Sequence, residues 1–205
     1  MFYLTPVWTG EPKCAILYLV LTSWRNIKMI VDNVVQKGNY PIEESAKNVE
    51  DVNSEAVQST IKNLVDSMRH YNLVGMSAPQ IGQSVRIFVV EVRETTYRKD
   101  LGIKEGLKVF INPKITWHSE DEVSDYEGCG SVESAGLFGA VKRWNKITVE
   151  ALDKDGSQFE YKAEGFLARV VQHEYDHLDG TLFIDKVTDV TQILGKEEYI
   201  EKFRS

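Results

Sequence analysis

The clearest periodicity in the chain begins at residue 53. Val57, Ile61, Leu64, Val65 and Met68 recur at intervals of three and four, which lays one apolar stripe along an α-helix. Asn53 or Ser54 in front of them offers a side-chain oxygen to the first free backbone N–H groups. The spacing predicts a helix of about four turns, ending near Tyr71. Asn72 then opens a run of small residues, Leu73-Val74-Gly75-Met76-Ser77-Ala78-Pro79-Gln80-Ile81-Gly82, where glycine and proline imply tight backbone rather than core.

Strand-type runs follow at residues 85–92, 108–115 (split by Pro113), 146–152 and 158–163, rich in β-branched and aromatic side chains. Asp153-Lys154-Asp155-Gly156 between the last two is a hairpin signal. Residues 93–106 and the acidic stretch 118–127 read as solvated loops. The helical period returns within residues 164–178, through Phe166, Leu167, Val170, Val171, Glu174, His177 and Leu178, and Gly180 stops it. A short final helix is predicted at 192–203. Strands followed by an apolar helix give an α+β class, one small domain with the helix laid against an antiparallel or mixed sheet.

Residues 1–28 differ from the rest: an aromatic, weakly charged start, Gly10, Pro12, an apolar run at 14–21, then Arg25 and Lys28. Only Lys13 precedes the apolar run, against a secretory signal, and the run falls short of the roughly 20 residues of a membrane helix. The expected division is therefore an N-terminal extension, 1–28, and the main domain, 29–205. An extra element packed on the domain is the alternative for the extension.

Composition adds limits. With 205 residues, 42% hydrophobic and 27% charged, the chain suits one globular core and excludes disorder, collagen and coiled coil as whole-chain readings. A net charge of −7 offers no field to phosphate backbones, so direct nucleic-acid binding is not expected. The two cysteines, Cys14 and Cys129, do not form a disulfide framework, which leaves a metal or catalytic role open for each.

The second helix carries the chemistry. His173-Glu174-Tyr175-Asp176-His177 sets two imidazoles at i and i+4, about 40° apart around the axis, so both can reach one metal ion with Glu174 beside them as a base. A catalytic metal needs a third protein ligand. A histidine six positions beyond His177 is absent, since Phe183 stands there. Glu197 or Glu198 downstream, or Cys129 between Gly128 and Gly130, remain as candidates. His70 and His118 have no partner at ligand spacing and read as surface residues. No Ser-His-Asp or phosphate-loop pattern competes.

Three segments, Gly75-Met76-Ser77-Ala78-Pro79-Gln80, Glu127-Gly128-Cys129-Gly130-Ser131 and Gln172-His173-Glu174-Tyr175-Asp176-His177-Leu178-Asp179-Gly180, resemble the signature motifs of peptide deformylase in the family's order, over roughly residues 29–187. The resemblance implies a small α+β domain with the metal-binding helix packed inside sheets. It implies removal of the formyl group from the N-terminal methionine of nascent polypeptides, with release of formate. Cys129, His173 and His177 would be the metal ligands. Water activated on the metal would attack the formyl carbon with Glu174 as general acid/base, and the Gln80 amide and Gly130 N–H would donate to the formyl oxygen. Gly75 and Val74 would hold the substrate chain. Phe166 and Val170 would line a methionine pocket, although a core role suits them equally.

Family members use Fe²⁺, and Ni²⁺, Co²⁺ or Zn²⁺ can replace it; nothing in the residues themselves selects iron. The implied partners are formyl-methionyl nascent peptides at or near the ribosome, in the cytoplasm, with an organelle as the alternative if residues 1–28 are a targeting segment. Departures from the pattern are Leu73, Ser77, Gly130 and the lack of an arginine between Cys129 and Lys142. Arg169 is awkward beside an apolar pocket unless its guanidinium reaches solvent or a carboxylate. Two other readings compete: an endopeptidase using Glu197 or Glu198, and a metal-dependent binding module that does not need Glu174.

Overall fold

A computed structural model describes residues 31–94 and 102–203; the extension assigned to residues 1–28, and Cys14 with it, lies outside the described residues. The first helix, α1 (Glu55–His70), is capped by Ser54, whose side chain accepts from the Val57 N–H. Glu55 in its first turn and Arg69 and His70 in its last complement the helix dipole. Among the described residues no helix is long and apolar enough to cross a membrane.

Strands β1 (Gly75–Ser77), β2 (Ile87–Val92), β3 (Glu105–His118), β6 (Lys146–Leu152) and β7 (Gln158–Glu164) form one sheet in the order β1-β2-β3-β6-β7. Strands β4 (Glu122–Gly128), β5 (Leu137–Trp144) and β8 (Ile193–Gly195) form a second, in the order β4-β5-β8. Neighbouring strands run antiparallel in both sheets. Helix α2 (Phe166–Leu178) lies between the sheets, touching β1, β2 and β7 of the first and β5 of the second. Helix α3 (Lys196–Phe203) closes the described chain.

The period-2 alternation of β2 divides the core. Ile87 and Val89 join Ile61, Leu64, Val65 and Met68 of α1, whereas Phe88 and Val90 join Ala168, Val170, Val171 and Leu178 of α2. Leu64 and Met68 are fully buried, each stabilising by roughly 1.5–3 kcal/mol through loss of apolar surface to water. A third cluster, Ile42, Cys129, Val132, Val141, Leu182 and Phe183, lies against the small sheet.

Three expectations need correction. The acidic stretch is not a loop: residues 122–128 are β4, paired residue for residue with β5. The pairing was hidden because the inward positions of this hairpin include charged residues, Glu127 and Arg143, so no hydrophobic alternation marks it. Pro113 does not split its strand; β3 runs through it with a register shift between Ile111 and Lys114, a bulge that tolerates the missing N–H. Asn112 in that bulge exchanges two hydrogen bonds with the Val49 backbone, each 2.8 Å. The C-terminal helix starts at Lys196, after a short strand, rather than at residue 192. The predicted turn at 153–156 is present, with the Asp153 carboxylate accepting from the Asp155 and Ser157 N–H groups.

Candidate metal centre

Cys129 follows directly on β4, and His173 and His177 project from successive turns of α2. Their ligand atoms all lie within 4.8 Å of one another, with Cys129 Sγ 3.3 Å from His177 Nε2. Glu197 and Glu198, the alternative third ligands, are exposed on α3 and outside this group. One turn beyond the second histidine the helix must stop sharply: Gly180 has φ 72°, and a side chain there would meet the Glu43 carbonyl at 2.7 Å, so only glycine fits.

Burial pushes the Cys129 thiol up, but the imidazoles of His177 and His173 outweigh it and hold the group well below its ordinary value. Burial likewise opposes charge on His173, yet Cys129 and Glu127 raise it. The sulfur is thus favoured as thiolate, the form that ligates metals. His173 Nδ1 donates to Glu127 Oε2 at 2.9 Å, which leaves Nε2 for a ligand. A thiolate with two imidazoles suits a divalent transition ion. Among the described residues Glu174 Oε2, buried beside the ligands, has no hydrogen-bond partner, so polar capacity is left over where the substrate would sit; His177 Nδ1, the ring nitrogen other than the one near Cys129, has none either.

Glu174 is buried between these residues and β1. Burial pushes its carboxyl up to about 7, against the pull of His173 and His177, which suits a group that must both take and return a proton near neutral pH. A Cβ on Gly75 would stand 2.5 Å from Glu174 Oε1. Glycine at 75 is therefore the condition for the carboxylate to lie against the strand.

Gln80 is oriented from behind. The Ser77 N–H and hydroxyl both donate to its Oε1, at 2.9 and 3.2 Å, so its amide nitrogen turns towards Cys129 Sγ (3.5 Å) and Ser131 Oγ (3.4 Å). Ser77, noted as a departure, thus contributes the second bond that fixes the amide. Val74, Gly75, Gln80, Gly130, Phe166 and Val170 all border one cleft of about 160 Å³ with Cys129, His173 and Glu174. Phe166 and Val170 also belong to the α2 core, so each borders the cleft and packs in that core at once. A side chain at Gly130 would make ordinary contact with Val34 and Leu73. With none there, the cleft adjoins a larger recess of about 810 Å³ that shares Leu73, Gly130, Phe138 and Tyr199 as walls.

The family model for polypeptide deformylase matches residues 31–192. The chain belongs to the peptide deformylase family. A peptide deformylase of Pelotomaculum thermopropionicum is 40% identical over 170 residues, 83% of this chain and 100% of that one. Among solved structures, a Met-Ala-Ser-bound class I type b peptide deformylase of Acinetobacter baumannii superposes with a TM-score of 0.72 at 31% identity, covering 78% and 99% of the two chains. The Ehrlichia chaffeensis peptide deformylase in complex with actinonin gives 0.71 at 30% identity, covering 86% and 100%. Peptide deformylases are metal-dependent hydrolases whose reaction removes the formyl group from an N-terminal formyl-methionine, and the α+β fold with its helix between sheets is the family's fold.

Sequence reasoning missed the partners behind the ligands of this deformylase. Glu127 accepts from Arg143 Nε and Nη2, each at 2.8 Å, as well as from His173. Burial pushes its carboxyl up, but Arg143 and His173 outweigh that and hold it well below the usual carboxylate range. Arg143 bonds Asp176 as well. The available signal was register: Arg143 shares the inward face of β5 with Gly139 and Val141, an expensive place for a cation without an anion.

Proposed function

We propose that this chain deformylates formyl-methionyl nascent peptides with Cys129, His173 and His177 as ligands to one divalent ion and Glu174 as general acid/base. The observation that carries the reading is the convergence of one thiolate and two imidazoles beside a buried carboxylate whose Oε2 has no partner. When bound, the ion supplies Lewis acidity, making water acidic near neutral pH and polarising a carbonyl. Glu174 takes a proton from the attacking water at Oε2 and returns it to the leaving amine nitrogen. Gln80 Nε2 and the Gly130 N–H donate to the formyl oxygen as negative charge grows on it, and as neutral groups they add no charge to desolvate.

Strand β1 is the edge of its sheet, so the substrate backbone extends alongside Val74 and Gly75 as a further strand. Phe166 and Val170 supply an apolar wall for the methionine side chain. The native ion of this reading is Fe²⁺, with Ni²⁺, Co²⁺ or Zn²⁺ as substitutes; the donor set accommodates all four. Its place of action is the cytoplasm, at or near the ribosome.

The test is formate release from formyl-Met-Ala-Ser by protein prepared anaerobically with ferrous iron, with casein as a peptidase control. Chelation is expected to abolish formate release, and added ion to restore it. Cys129→Ser is expected to lose both the ion and the activity. Casein cleavage, or formate release that survives Cys129→Ser with the ion retained, would overturn the assignment.

A further inference from the structure

Arg169 is a buried cation that the reaction above does not use. It stands four residues before His173 on α2, borders the cleft beside Cys129 and Glu174, and sends its side-chain hydrogen bonds to the β4–β5 hairpin. Nη1 donates to Glu127 Oε1 at 2.6 Å, to the Val141 carbonyl at 2.9 Å and to the Asp125 carbonyl at 3.4 Å; Nη2 donates to the Val123 carbonyl at 2.6 Å. Cys129 lies one residue beyond the end of β4. The helix that carries the histidines is thereby tied to both strands of the hairpin that leads to the cysteine.

Nonpolar packing supplies this register only in part, through the His173 ring near Phe183 of the small-sheet cluster at 6.3 Å. Val170 and Val171 of α2 belong to the cluster on the large sheet, whereas Cys129 and Val141 belong to the cluster on the small one. The two halves of the metal centre thus rest in different cores, and polar contacts join them. Hydrophobic contact is non-directional, whereas a planar guanidinium bonded to a carboxylate and three carbonyls fixes distance and angle together. Glu127 is where the ties converge: Arg169 holds Oε1, Arg143 spans both oxygens, and Oε2 accepts the Nδ1 proton of His173.

We infer that Arg169 is a positioning residue for the metal centre, acting through Glu127: it fixes the carboxylate that orients His173, and so sets how closely the helix ligands meet Cys129. The inference rests on the ligand set proposed above.

Cobalt(II) is the probe, because a thiolate bound to it gives a charge-transfer absorption and its affinity can be read by competition with a chelator. Wild type, Arg169→Met, Arg169→Lys, Glu127→Gln and the combination of Arg169→Met with Glu127→Gln are compared, alongside the thermal midpoint of each metal-free protein. Arg169→Met is expected to weaken cobalt binding by about tenfold or more, the usual scale for groups behind a ligand. The combined variant is expected to bind no more weakly than Glu127→Gln alone. Arg169→Lys keeps the charge without the fork and should show a smaller loss in the same direction; if the methionine variant does not fold, this variant carries the test. A lowered thermal midpoint with unchanged cobalt affinity in the folded variants means a purely structural role and overturns the inference, as do fully additive losses in the combination. A wild type without thiolate-to-cobalt absorption removes the ligand set itself, and this inference with it.

Discussion

Helices α1 and α2 cover opposite faces of one sheet, yet they are built by different rules. α1 buries a single stripe, Ile61, Leu64, Val65 and Met68 with the small Ser67, and its other side meets water. α2 is enclosed on both sides: Ala168, Val170, Val171 and Leu178 face the large sheet, while Arg169, Gln172, Glu174 and His177 are also buried. A polar residue without water must find a partner. Arg169 finds the hairpin, and Gln172 exchanges bonds with the Trp144 backbone at 3.2 and 2.9 Å. Among the described residues Glu174 Oε2 and His177 Nδ1 find none. The comparison teaches that the proposed acid/base, Glu174, is a buried carboxylate left with a free oxygen on a helix whose other buried polar side chains are largely partnered.

The sharpest way to separate the two helices is to neutralise that remainder. Glu174→Gln should lower formate release by about 10²–10⁴-fold, the scale of general acid/base catalysis. It should leave the metal-free protein at least as resistant to urea, because a buried carboxylate with a free oxygen is costly to keep ionised. A variant that lost activity by unfolding would erase the contrast. Met68→Ala on α1 should do the reverse: its side chain is fully buried, so its loss should cost about 2–5 kcal/mol while the folded protein binds one ion per chain with unchanged turnover. Unfolding curves paired with metal analysis decide both cases.

How much of this was readable in advance followed the same division. α1 and α2 were legible because a 3.6-residue period and a cap are local patterns, and the His-Glu-His spacing and the glycine-flanked cysteine are contiguous in the chain. The β4–β5 hairpin was not, because its buried positions hold Glu127 and Arg143, each acceptable inside only in the presence of the other. Arg169 was visible as a misfit in an apolar run, and a carboxylate was one of its two expected destinations. Which carboxylate it reaches depends on contacts 42 residues apart, which no local pattern encodes. The role of Ser77 in fixing Gln80 was likewise hidden, since a serine in a run of small residues carries no sign of what it bonds.

Gly75 tests the border between the two regions, since it lies on β1 with Glu174 against it. Gly75→Ala places a methyl group 2.5 Å from Glu174 Oε1, and displacing the proposed acid/base by about an ångström is expected to cost on the order of 10² in kcat/KM. Cobalt binding should be little changed, because the three ligand residues lie on other elements; weakened binding would mean that β1 supports the ligands directly. A smaller effect is expected at the start of α1. Ser54→Ala removes the oxygen that accepts from the Val57 N–H and should lower stability by about 1 kcal/mol, with formate release per folded molecule unchanged.

The smallest effect lies at the end of α1, where a charge pair joins that helix to β2. Arg69 Nε and Nη2 donate to Glu91 Oε2 and Oε1 at 2.9 and 2.8 Å, and Arg69, with Arg93 also paired to Glu91, holds the Glu91 carboxyl below its ordinary 4.5. Because the folded-state value is depressed, the stabilising contribution is complete above the ordinary carboxylate range and fades as pH falls through that range towards the lower native value. Arg69 is 44% exposed, so solvent screening limits the contribution to about 1 kcal/mol or less. Urea unfolding of wild type and Glu91→Gln should therefore differ at about pH 7 and draw together as pH falls below the ordinary carboxylate range towards the depressed native value of Glu91. A difference that stays constant with pH would assign the contact to hydrogen-bond geometry alone, and α1 would then hold its sheet without any electrostatic share.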